Sequence, residues 1–189
     1  MTTFLRCARH AALPLERRCR GQLDLVPGED PLVSADQLRL ALAAPTPAVV
    51  WTSPLRRCSE VAARLAARIG AELRTDPRLL EMDFGEWEGR SWEDIERQDR
   101  IAYRDWLAAW RKIAPPRGES LGAFEGRVRS WVQERTRAGE IASSVLIGHA
   151  GVIRALSVIG AGARWEDVLA QPVPHLDWLS IPMARAGRP

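Results

Sequence analysis

The sequence predicts an α/β fold. Short apolar runs alternate with segments of helical periodicity along the chain. No internal repeat or low-complexity linker interrupts that alternation. The length, 189 residues, suits one domain, spanning 1–189, around one substantial core.

Residues 4–8 read as a first strand, although Arg6 is awkward if both faces of that strand are covered. Ser34 is placed to cap a helix over 35–43, after which Pro45 and Pro47 break the chain. Residues 48–52 form a second strand. A helix over 57–69 follows, apolar at Val61, Leu65 and Ile69 and closed by Gly70. Residues 71–75 suit a third strand. The stretch 79–89 reads as loop, with two glycines among acidic residues. Ser91 starts a helix, and Asp94 makes an imperfect capping box with it. Residues 103–110 are helical and tryptophan-rich, and Pro115-Pro116-Arg117-Gly118 ends them. A longer helix over 121–137 puts Phe124, Val128 and Trp131 on one face. The Val-Leu-Ile run makes 143–148 a buried strand. A helix over 152–159 and a last strand over 176–181 complete the pattern.

Composition excludes several classes. Apolar residues make up 46% and charged residues 27%, as in an ordinary globular protein. The net charge of +3 is not clustered; its densest patch, Glu16-Arg17-Arg18-Cys19-Arg20, is too short for a nucleic-acid stripe. No apolar stretch is long enough to span a bilayer, and the N-terminus lacks a signal-peptide apolar region. Cys7, Cys19 and Cys58 form an odd set without a CxxC pair, which argues for a reducing cytoplasm over a disulfide framework or zinc site. Three histidines in all are too few for a multi-histidine metal site. No metal, cofactor, nucleic acid or membrane partner is therefore expected. The oligomeric state stays open.

Three strand ends carry chemistry. Arg9-His10 follows the first strand, Ser53-Pro54-Leu55-Arg56-Arg57 the second, and Gly148-His149-Ala150-Gly151 the 143–148 strand, where it opens a helix. Open α/β sheets bind ligands at such ends, and a helix N-terminus offers N–H groups and positive potential to a phosphate. A phosphoryl group in transfer spreads charge over its oxygens and needs fixed cationic donors. Arginine supplies them as a planar fork. Histidine is nucleophilic near neutral pH. A carboxylic acid must protonate the leaving oxygen, and Glu81 is best placed for that by sequence. Any one of these pieces alone reads as an ordinary surface or core residue; their agreement carries the chemistry.

Together the segments resemble a known family. Leu5-Arg6-Cys7-Ala8-Arg9-His10, Ser53-Pro54-Leu55-Arg56-Arg57, Leu79-Leu80-Glu81-Met82-Asp83-Phe84-Gly85-Glu86-Trp87-Glu88-Gly89 and Gly148-His149-Ala150-Gly151-Val152-Ile153-Arg154 look like the signature blocks of the histidine phosphatase superfamily, which includes phosphoglycerate mutases. The blocks keep the family's order and spacing from about residue 9 to 159. Pro116, Gly118, Glu119 and Ser120 also resemble a family stretch before a long helix. The resemblance implies a three-layer α/β/α sandwich with a mainly parallel central sheet. It implies that His10 takes the phosphoryl group, that Arg9, Arg57, His149 and Ala150 line the phosphate pocket, that Glu81 donates the proton, and that no metal takes part.

This sequence departs from the family after the histidine. Members carry Gly, a small or acidic residue, Thr or Ser, and then Asn; here Ala11, Ala12, Leu13 and Glu16 stand there. Arg20 and Gln22 are candidates to supply the lost contacts. Together with His175 they are also candidates for the substrate rim. The apolar run Leu13-Pro14-Leu15 with Cys19-Arg20-Gly21 looks like one branch of the α-ribazole phosphatases. A hydrolase of a small phosphorylated metabolite is thus expected, with α-ribazole 5′-phosphate as a candidate. A mutase, or a phosphate-binding regulatory protein permitted by the altered loop, are the rivals.

Other features are weighed against plainer roles. Cys58 and Arg64 have the C-x5-R spacing of cysteine phosphatases, but the segment between them lacks glycine and should be helical. Trp92, Trp106, Trp110 and Trp131 suit core packing better than a lid over an aromatic leaving group. His175 reads more readily as a plain surface or partly buried histidine than as rim. Glu86 and Glu88 read as structural.

Overall fold

The computed structural model describes residues 2–13 and 18–183. Its strands are β1 (Thr3–Arg9), β2 (Val49–Thr52), β3 (Glu72–Thr75), β4 (Ser144–Gly148) and β5 (Trp178–Met183). Its helices are α1 (Pro31–Leu40), α2 (Arg56–Ile69), α3 (Trp92–Gln98), α4 (Arg100–Ala109), α5 (Leu121–Arg137), α6 (Ala150–Ala161) and α7 (Trp165–Leu169). The sheet order is β3-β2-β4-β1-β5. The first four strands in that order run parallel, and β5 pairs antiparallel with β1.

Strand periodicity sorts the side chains into two layers. Leu5, Cys7, Val49, Trp51 and Leu146 face α5 and α6. Ala8, Val50, Val145 and Ile147 face α1 and α2. The arrangement is the three-layer α/β/α sandwich. β4 lies at its centre, with β2 and β1 on either side, so the three loops singled out above leave neighbouring strand ends.

Most predicted elements stand within a few residues of their expected ends. The first helix does not. It begins at Pro31 rather than Ala35, because Asp30 accepts the Leu32 N–H and Pro31 occupies the first turn, where its missing N–H costs nothing. Ser34 lies inside that helix and donates to Glu29. Arg6 escapes the apolar layers by donating to the carbonyls of Ala43 and Pro45. The 79–89 stretch contains a short 3-10 turn at Gly85–Trp87. α7 was not expected; at five residues it is too short for periodicity to mark. Ser91 does cap α3: its hydroxyl accepts the Asp94 N–H at 3.0 Å and donates to the Asp94 carboxylate at 2.8 Å.

Candidate active site

Arg9 ends β1 and His10 follows it, with the His10 N–H donated to the Gly148 carbonyl at 3.1 Å. This ladder bond locks the two histidine loops together. The His10 and His149 rings meet edge to face, centroids 5.4 Å apart. The His10 Nδ1 lies 2.7 Å from the Ala11 carbonyl oxygen. A carbonyl only accepts, so Nδ1 carries the proton and Nε2 keeps its lone pair. The backbone carbonyl of the departing residue Ala11 thus sets the tautomer.

His10 is buried, and its pKa is pushed down to about 3. Burial is the largest cause; the Ala11 carbonyl opposes it, and Arg57, Arg9 and His175 add to it. His149 is completely buried and held well below the ordinary histidine value, again chiefly by burial and then by Arg57. Both imidazoles are neutral at pH 7.

Arg57 is buried in the first turn of α2. Its guanidinium donates to the carbonyls of Leu23 and Gly21, each at 2.7 Å. Gly21 is required there, since a Cβ would sit 2.3 Å from the Met82 carbonyl oxygen. Arg9 donates to the Val173 carbonyl at 3.0 Å. The Nε–H groups of both arginines are buried and have no partner among the described residues. Burial lowers the pKa of each guanidinium, yet arginine remains a cation in proteins.

Glu81 reaches the same place from the loop after β3. Its carboxylate accepts the N–H of Met82 and of Gly151, each at 3.0 Å. The positive end of α6 therefore receives this carboxylate, and Ala150 stands beside it as the first helical residue. Gly151 permits the seat: a Cβ would lie 2.2 Å from Glu81 Oε1. The Glu81 backbone is held by Gln22 and by Arg127, which donate to its carbonyl at 3.1 and 2.8 Å. Arg127 also pairs with Glu119 at 2.6 Å. Sequence reasoning missed Arg127, because nothing local to α5 points to Glu81.

Arg9, His10, Arg20, Arg57 and Glu81 line one small cavity of about 120 Å³, with Leu13 and Phe84. Arg20 is therefore brought to the site. Gln22, Ala150 and His149 are not among the lining residues: the Gln22 side-chain amide is committed to the Glu81 carbonyl, and His149 is wholly buried against the His10 ring. His175 packs against His10, ring centroids 5.6 Å apart, and donates from Nδ1 to the His10 carbonyl at 2.5 Å. Glu88 accepts the N–H of Gln22 and Phe84, a supporting role. Glu86 is exposed and faces Arg117. Cys58 sits in α2, fully buried, its sulfur 3.5 Å from His149 Nε2. Burial pushes its thiol up, the opposite of what a nucleophilic cysteine needs. Pro14, Leu15, Glu16 and Arg17, which bear on the altered loop and the basic patch, lie outside the described residues. Among the described residues no three His, Cys, Asp or Glu side chains gather as around a metal ion, and no helix is long and apolar enough to cross a membrane.

The chain matches known proteins in sequence and fold. The family model "Histidine phosphatase superfamily (branch 1)" covers residues 5–183. The chain belongs to this superfamily. It is similar to the adenosylcobalamin/alpha-ribazole phosphatase of Salmonella typhimurium, 32% identical over 105 residues, which are 52% of this chain and 52% of that protein. The chain thus spans about half the length of this curated relative. The alpha-ribazole phosphatase structure from Shigella flexneri shares the fold at a TM-score of 0.82 and 22% identity, over 97% of this chain and 95% of that one. A mycobacterial glucosyl-3-phosphoglycerate phosphatase in complex with inorganic phosphate superposes at a TM-score of 0.75 with 27% identity, over 94% and 88% of the two chains. In the superfamily member described here, the sheet's central strand ends bring together His10, His149, Arg9 and Arg57.

Proposed function

We propose that the chain is a phosphomonoester hydrolase that works through a phosphohistidine at His10. The observation that carries this reading is the buried His10, its Nδ1–H given to the Ala11 carbonyl and its Nε2 lone pair free to attack, in one cavity with the buried Arg57, the half-buried Arg9 and Glu81. Its family membership and the phosphatases it is similar to support the same reading.

The ester's phosphoryl group would sit against Arg9, Arg57 and His149, with Arg20 at the rim. His10 Nε2 attacks phosphorus as the P–O ester bond breaks. The Glu81 carboxyl gives its proton to the departing alkoxide. The Ala11 carbonyl takes up the positive character that grows on the imidazole through Nδ1–H. Water then attacks the phosphohistidine, Glu81 accepts its proton, and inorganic phosphate leaves. The arginines hold charge that is greatest in the transition state. A second carboxylate to polarise His10 has no place in this scheme.

α-Ribazole 5′-phosphate is the substrate we place first, on the strength of the Salmonella relative, and a cytoplasmic location goes with it. The free, buried cysteines are in keeping with a reducing compartment. The test is phosphate release from α-ribazole 5′-phosphate, ethyl phosphate, phosphoserine and p-nitrophenyl phosphate. His10→Ala should reduce every rate to background. Glu81→Gln should slow ethyl phosphate by about 10²–10⁴ and p-nitrophenyl phosphate far less, since that leaving group needs no proton. Full activity in His10→Ala would sink the mechanism. Vanadate binding without turnover would support the regulatory rival instead.

A further inference from the structure

A second cavity adjoins the first at Glu81 and Phe84, which line both. It holds about 370 Å³. Native cores rarely leave voids larger than a water, whereas ligand pockets begin near 300 Å³. Its walls are apolar and come from separate elements: Trp106 and Leu107 of α4, Trp110 after it, Phe124 of α5, and Trp165 and Leu169 of α7. Leu107 and Leu169 are 51% and 47% exposed, so the chamber has an apolar mouth.

Arg154, the other charged lining residue besides Glu81, has its guanidinium tied to the Val168 and Gln171 carbonyls at 3.0 and 3.1 Å. It therefore braces the end of α7 against the chamber. The alcohol oxygen of a bound ester must lie beside its proton donor. Glu81 lies between the two cavities, so the group attached to that oxygen extends from the phosphate pocket into the apolar one.

We propose that this chamber is the leaving-group subsite and selects phosphomonoesters whose alcohol carries a flat, apolar ring system. The proposal rests on the hydrolase reading and gives it a substrate class. It implies that small polar esters are poor substrates.

The test is a series of esters of closely similar leaving-group acidity: ethyl, benzyl and 2-naphthylmethyl phosphate. Burying each methylene equivalent is worth about fourfold in kcat/KM, so each step up the series should gain about tenfold or more. Trp110→Ala and Leu169→Asp should flatten the series to within about threefold. Free 2-naphthylmethanol should inhibit ethyl phosphate hydrolysis competitively in the wild type, a readout that does not depend on any variant folding. Phosphate release with no dependence on ring size, or no inhibition by the alcohol, overturns the subsite and leaves the hydrolase reading standing. No release from any ester, p-nitrophenyl phosphate included, overturns the hydrolase reading and the subsite with it.

Discussion

The sheet layer and the aromatic cap use similar residues to different ends. In the sheet layer α5 buries Leu121, Phe124, Val128, Trp131 and Val132, and Trp131 meets Trp51 edge to face at 5.6 Å. In the cap, α4 has no buried residue. Only Cys19, Trp87 and Ile95 are buried there, with Phe84, Trp92, Tyr103 and Trp106 packed around them. The rings still pair, Trp87 with Trp106 at 5.5 Å and Trp92 with Trp106 at 6.3 Å. The difference teaches where rigidity is needed. Arg9 and His10 stand at a strand end backed by a continuous core. The rings around Trp87 stand on a small satellite core, from which Phe84 and Trp106 reach the apolar chamber, while its walls at Trp110, Leu121, Phe124 and Trp165 belong to the sheet's core.

The comparison breaks if both regions respond alike to truncation. Trp131→Ala should lower stability by about 3–5 kcal/mol, and Trp106→Ala by about 1–2 kcal/mol, both read by urea unfolding. Equal losses would mean that the cap is as much a part of the core as α5. A smaller perturbation probes the join between the regions. Gly151→Ala sets a Cβ against the flexible end of Glu81, so the carboxyl must move while the helix is spared. Ethyl phosphate turnover should fall by about a hundredfold, as expected for a displacement near 1 Å, with p-nitrophenyl phosphate and the melting temperature little changed. If both substrates fall together, Gly151 serves phosphate binding rather than the seat of the acid.

A further prediction sharpens the sheet side of the comparison through pH. His10 titrates near 3 in the fold and near 6.5 when unfolded. Between those values the unfolded chain binds a proton that the native protein does not. Stability is therefore complete above about pH 6.5 and falls as pH drops toward 3. From pH 7 to 5 the loss assigned to His10 is about 2 kcal/mol, and His149 adds to it in the same direction. In His10→Ala the pH dependence of urea unfolding should shrink by about that amount. An unchanged dependence would show that burial does not hold His10 neutral.

The α/β class, the order of the strands along the chain and the residues at three strand ends were readable before any coordinates. Each rests on local chemistry: apolar runs, breakers, caps, and motifs that keep their neighbours. The start of α1 was misread because Asp30 and Ser34 are both good caps, and Pro31 favours the earlier one. α7 escaped notice because five residues make too little pattern. The seat of Glu81 against Gly151, the grip of Arg127 on the Glu81 carbonyl and the contact of His175 with His10 join residues far apart in the chain. So does the apolar chamber, whose walls come from α4, α5 and α7 as well as the Glu81 loop. Such features follow from how the layers pack, and packing is a property of the whole chain. Only the tertiary structure decided them, while the residue types available to act were already written along the sequence.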